Sequence, residues 1–181
     1  MKERKKNILV TGLPGSGKTT LLRKVADELK PLHPAGFFTS EIREADIRKG
    51  FELASLDGKK GLLAHVDIKS PQRLGKYKVD VKGFEAFLEA IPLLGPPVRL
   101  IIIDEIGKME CLSELFRHLV RQVLDSDNVV LASIALKGGG FTESIKKRDD
   151  VQLFELVESR REALVEGIVR EIEDLYVKGK S

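Results

Sequence analysis

A chain of 181 residues, 42% hydrophobic and 33% charged, has the size and make-up of one globular domain spanning 1–181. Thirty-one Lys and Arg against 28 Asp and Glu leave a formal charge of +3, an excess too small to argue for nucleic acid or a membrane surface as partner. No apolar run approaches the ~20 residues of a membrane span, and the single cysteine, Cys111, excludes an internal disulfide framework and suits a reducing cytoplasm.

The first twelve residues pass from a basic stretch through a short apolar run into a Gly-rich turn. This reads as a first strand at 7–10, since a secretory signal needs a longer apolar region and a cleavage site. A helical pattern follows at 18–30. Residues 36–81 change character: short strand-like runs, among them 48–56 and 61–66, are separated by turn residues, with Asp57-Gly58 a hairpin signal. This segment reads as an antiparallel elaboration within the single domain.

Pro96-Pro97 marks the turn before an apolar strand at 98–103, in which Leu100, Ile101, Ile102 and Ile103 fit a strand buried on both faces. A helix at 112–125 carries Leu112, Leu115, Phe116, Leu119, Val120 and Val123 at helical spacing. A strand at 128–135, a Gly-rich loop at 137–140 and a helix at 159–177 complete the series. Strands alternating with helices indicate an α/β domain with a mainly parallel central sheet covered on both faces. Absence of Trp and abundance of Lys, Arg and Glu resemble a thermophile's composition.

Gly12-Leu13-Pro14-Gly15-Ser16-Gly17-Lys18-Thr19 matches G-x-x-x-x-G-K-[ST] between a strand and a helix, the context this phosphate-binding loop requires. Its glycines let backbone N–H groups converge on a phosphate at a helix N-terminus. Lys18 is placed to reach the β- and γ-phosphates, Thr19 to ligate Mg²⁺, and Thr20 to complete the nucleotide contact.

Asp104 and Glu105 follow the central apolar strand, where doubly wound sheets bind ligands. Asp104 fits the Mg²⁺-associated carboxylate, acting through water, and Glu105 fits a group that orients or deprotonates the attacking water. Asp104 to Gly107 also fits the short D-x-x-G pattern, but no N-K-x-D accompanies it, so nothing selects guanine.

Asp104-Glu105-Ile106-Gly107-Lys108-Met109-Glu110 resembles the signature of the small thermophilic nucleoside-triphosphatases, similar to the cancer-related nucleoside triphosphatase of animals. The likeness extends to residues 36–44, Gly50-Phe51-Glu52-Leu53, Gly61-Leu62-Leu63-Ala64 and Tyr77-Lys78-Val79-Asp80-Val81, and spans most of the first 135 residues. It implies a three-layer, recombinase-like phosphate-loop NTPase fold and slow, Mg²⁺-dependent hydrolysis of several nucleoside triphosphates to diphosphate and phosphate. Before the last helix, where the family tends to show Asn-Arg, this chain has Ser159-Arg160.

A further cation for γ-phosphate charge is sought near these motifs, with Arg43, Arg48 and Lys108 as candidates. Ser133, at the end of the next strand, is either a γ-phosphate sensor or a small core residue. Lys146, Lys147 and Arg148 read as a charged helix face, or as a closing lid. His33, His65 and His118 share no metal-ligand spacing. Two further functions share the same parts: a nucleotide or small-molecule kinase, and a nucleotide-dependent switch or remodelling subunit. A monomer or weak homo-oligomer is expected.

Overall fold

In the computed structural model, residues 5–178 are described. Strand β1 (Asn7–Thr11) runs into helix α1 (Lys18–Glu28) through the phosphate loop. An antiparallel series follows: β2 (Ala35–Glu44), β3 (Ile47–Ser55), β4 (Lys60–His65), β5 (Arg73–Leu74) and β6 (Tyr77–Val79). Then come α2 (Val81–Glu89), β7 (Leu100–Ile106), α3 (Glu114–Asp125) and β8 (Val129–Ile134). The last elements are α4 (Gly140–Lys146), β9 (Val151–Glu155) and α5 (Arg161–Lys178).

All nine strands belong to one sheet, ordered β5-β6-β4-β3-β2-β7-β8-β1-β9. From β2 to β9 the neighbours are parallel; from β2 outward to β5 they are antiparallel. The expected mainly parallel sheet is therefore a mixed one. The antiparallel segment does not sit upon the parallel core but continues it, because β2 pairs with β7 through one edge and with β3 through the other.

Alternation along the strands divides the core into two faces. Ile8 and Val10, Leu100 and Ile102, and Val129 and Leu131 point to the side covered by α1 and α5. Leu9, Ile101, Ile103, Val130 and Ala132 point to the side covered by α2 and α3. On that second side Phe37 meets Phe84, Phe87 and Phe116 edge-on at centroid distances of 6.0, 5.9 and 6.3 Å. Phe37 and Phe38 are core residues, as are Leu63 and Phe84.

Local chemistry sets the boundaries. Ser113 caps α3 by accepting from the Phe116 N–H at 3.0 Å, which starts that helix two residues later than the apolar spacing predicts. Asp80 caps α2, a helix the sequence reading missed, by accepting from the Gly83 N–H at 3.0 Å. Strand β7 extends to Ile106 and takes in both acidic residues, three residues beyond the expected strand end. Gly140 opens α4, so the Gly-rich segment is in part a helix start.

Candidate active site

Gly15 and Gly17 adopt φ of +77° and +96°, a left-handed backbone that side-chain-bearing residues rarely take, and so turn the loop's N–H groups inward ahead of α1. Lys18 lies back along this loop, its Nζ donating to the Gly12 carbonyl at 3.1 Å and the Leu13 carbonyl at 3.3 Å.

Strand β8 stands between β1 and β7, yet α1 bridges the gap. Thr19 Oγ1 donates to Asp104 Oδ2 at 2.6 Å, joining the phosphate loop to the acidic strand end. Ser133 on β8 donates to the other carboxylate oxygen, and Thr39 on β2 donates to the Asp104 carbonyl at 2.7 Å. Ser133 therefore holds Asp104, a role the γ-sensor and small-core readings did not include.

Asp104 is only 3% exposed. Burial raises its carboxyl above the usual carboxylate range, against the hydrogen bonds from Ser133 and Thr19 that lower it. Glu105 is raised chiefly by burial and further by Asp104, with the Lys18 ammonium opposing. A cation between them would reverse this cost.

The donor set fits Mg²⁺: a hydroxyl and a carboxylate in contact, hard oxygen ligands both. Among the described residues no group of three His, Cys, Asp or Glu could enclose a metal ion.

A cleft of about 590 Å³ opens from this point, floored by Gly15, Lys18, Thr19, Asp104 and Glu105. Its far wall comes from the antiparallel strands through Glu41, Arg48, Phe51, Leu63 and Leu74. Lys108 and Glu110 line it as well. Gly107 is buried beside it, while Leu13 is 67% exposed and faces outward.

Arg43 is not brought to the cleft. Its guanidinium pairs with Glu41 at 2.7 Å and the Asp46 carbonyl at 2.5 Å, at the turn end of β2 past the register shift between Ile42 and Arg43. Arg48 takes the position on the cleft wall, fixed by Tyr77 Oη at 2.8 Å and Glu41 at 2.7 Å. Lys146 and Arg148 are tied down at a distance, the first to the Leu136 carbonyl and Glu143, the second to Asp125 and Asp150. They form a charged helix end rather than a lid.

The sequence reading passed over two charged groups at the site. Glu110 is the last residue of the quoted signature, and its burial is not visible in a chain of letters. Arg161 begins α5 with Nη1 only 2.6 Å from where a Cβ on Gly17 would stand, so it lies against the phosphate loop. Its Nε is buried with no hydrogen-bond partner among the described residues. Only the packing of α5 on α1 reveals this.

Comparison with known proteins agrees with the geometry. A family model described as NTPase matches residues 7–169. The nucleoside-triphosphatase THEP1 of Thermotoga maritima is 44% identical over 163 residues, 90% of this chain and 92% of that one. The human cancer-related nucleoside-triphosphatase is 37% identical over 182 residues, 91% of this chain and 95% of that one. The crystal structure of THEP1 from Aquifex aeolicus superposes with a TM-score of 0.78 at 34% identity, covering 92% of this chain and 99% of that one. With a complete phosphate loop joined to a buried acidic strand end, and such likeness over nearly its whole length, the chain belongs to the THEP1 family of nucleoside-triphosphatases.

Proposed function

We propose that the protein hydrolyses the terminal phosphate of nucleoside triphosphates in a Mg²⁺-dependent reaction, accepting ATP, GTP, CTP and UTP and releasing nucleoside diphosphate and phosphate. The observation that carries the reading is the Thr19–Asp104 contact, which sets a metal-compatible oxygen pair beside Glu105 at the floor of the cleft. Mg²⁺, when bound there, would neutralise charge on the β- and γ-phosphate oxygens.

The chain's own groups divide the remaining work. Gly12 to Thr20 cradle the triphosphate, and Lys18 leaves the loop carbonyls for its oxygens. Glu105 accepts a proton from water as the oxygen attacks the γ-phosphorus and the bond to the β,γ-bridging oxygen breaks. Lys108, exposed at the rim, is the candidate for added positive charge. Base tolerance is supported by the missing N-K-x-D motif.

Phosphate release with each of the four triphosphates, with and without Mg²⁺, tests this. Comparable Mg²⁺-dependent release from several bases, lost in Glu105→Gln, is the expected result. Release from one base only, or full release without Mg²⁺, would contradict it.

A kinase activity is favoured by one observation, the cleft's reach beyond Glu105 to Phe51, Leu63 and Leu74, which exceeds what a water nucleophile needs. Label from γ-labelled ATP appearing on an added nucleoside or nucleoside monophosphate would establish it. The parallel strands, numbered among themselves in chain order, run 5-1-4-3-2, which supports the recombinase-like arrangement. The reading further takes the chain as one domain, a monomer or weak homo-oligomer, without a nucleic-acid partner. The single cysteine supports a cytoplasmic setting.

A further inference from the structure

Between the end of β7 and α3 lies a carboxyl that the hydrolytic reading leaves unused. Glu110 is 4% exposed and still borders the cleft. It faces Glu105 across Gly107: a Cβ on Gly107 would stand 2.7 Å from Glu110 Oε2 and 2.8 Å from Glu105 Oε1. Laid end to end, those distances hold the two oxygens within 5.5 Å of each other. A methyl group at residue 107 would push into both.

We propose that Glu110 is a positioning residue for the reaction: its carboxyl, set across Gly107 from that of Glu105, fixes the direction in which the Glu105 carboxylate meets the attacking water. The inference rests on Glu105 as the water-orienting base. Burial first, and the Glu105 charge second, push the Glu110 acid up to about 8, against the pull of the backbone N–H groups of Glu110 and Gly107. Burial raises the Glu105 carboxyl as well, with the Lys18 ammonium opposing.

A neutral acid donates to a neighbouring carboxylate where a second anion would repel it. The other ionisable groups around Glu110 leave its proton in place. Asp104 is engaged by Thr19 and Ser133, Lys18 acts on Glu105, and Glu85 of α2 is occupied by Ser113. Burial pushes the adjacent Cys111 thiol up to about 12, so it stays uncharged.

Steady-state ATP hydrolysis by the full chain from pH 6 to 9.5 tests the proposal in Glu110→Leu, Glu110→Gln, Gly107→Ala and Glu105→Gln. Glu110→Leu is expected to lower kcat by about tenfold or more with KM within about twofold, since positioning acts on the transition state. Glu110→Gln, whose amide also donates, keeps kcat within about threefold at pH 7 and abolishes the fall in kcat expected of the unaltered protein above pH 8. Gly107→Ala lowers kcat as Glu110→Leu does.

Wild-type kcat and pH profile in Glu110→Leu would reduce Glu110 to a structural group and overturn the inference. If Glu110→Leu does not fold, unchanged kcat in Gly107→Ala does the same. Full turnover by Glu105→Gln would instead remove the base reading on which the inference stands.

Discussion

Asp104 carries more of the site than any other residue. Its two carboxylate oxygens and its carbonyl receive hydroxyls from α1, β8 and β2, so three separately placed elements converge on one side chain. Removing its charge while keeping its shape therefore tests catalysis apart from folding. Asp104→Asn is expected to leave the far-UV circular dichroism spectrum unchanged and to cut Mg²⁺-dependent turnover by about 100-fold or more. Lys18→Ala removes the ammonium proposed to meet the β- and γ-phosphates and should weaken triphosphate binding by about tenfold or more, read by titration with a fluorescent ATP analogue. Lys18 and Thr19 were legible as candidates because their motif has fixed spacing, and Asp104 because it directly follows an apolar strand. Their linkage through Ser133 and Thr39 was not, since a hydrogen bond across strands far apart in the chain leaves no local pattern.

Elements differ in how openly the sequence declares them. Strand β7 was legible because a strand buried on both faces must be apolar at successive positions, and Leu100 to Ile103 are. Helix α2 was obscured: it is short, and its cap, Asp80, looks like any loop aspartate until the Gly83 N–H is seen to meet it. Arg43 and Arg48 were indistinguishable as letters: they pair across β2 and β3, and their side-chain partners separate them, Tyr77 and Glu41 holding Arg48 on the cleft wall, Glu41 and the Asp46 carbonyl holding Arg43 beyond it. The junction of β2 with β7 depends on close approach. A Cβ on Gly36 would stand 1.8 Å from the Ile102 carbonyl oxygen, so Gly36→Ala should force the strands apart and lower stability by about 2–4 kcal/mol, measured by urea unfolding. At the opposite face Ser113→Ala removes a helix cap and should cost about 1 kcal/mol by the same measurement, with turnover little changed.

At the scale of the whole molecule, buried acids tie stability to pH. Glu110 has a folded-state pKa of about 8 against an ordinary 4.5, so between those values the native chain holds a proton that the unfolded chain gives up. Stability from this group is fully present below about pH 4.5 and declines as pH rises toward 8, by a total on the order of 5 kcal/mol. Glu110→Gln should flatten that part of the curve, which unfolding midpoints from pH 5 to 9 would show; an unchanged slope would contradict the raised acid.

Fold class was readable from the alternation of apolar strands and amphipathic helices, whereas the single mixed sheet was not, because pairing partners are set by tertiary contacts. That sheet has a consequence for motion. Since β2 pairs with β7 on one side and β3 on the other, the cleft's far wall is joined to its phosphate-binding floor by backbone ladders of one sheet. Opening one therefore strains the other, and the two should share a cooperative unfolding unit. Triphosphate bound at the loop is expected to slow amide hydrogen exchange in the central residues of β3 as well as in β7.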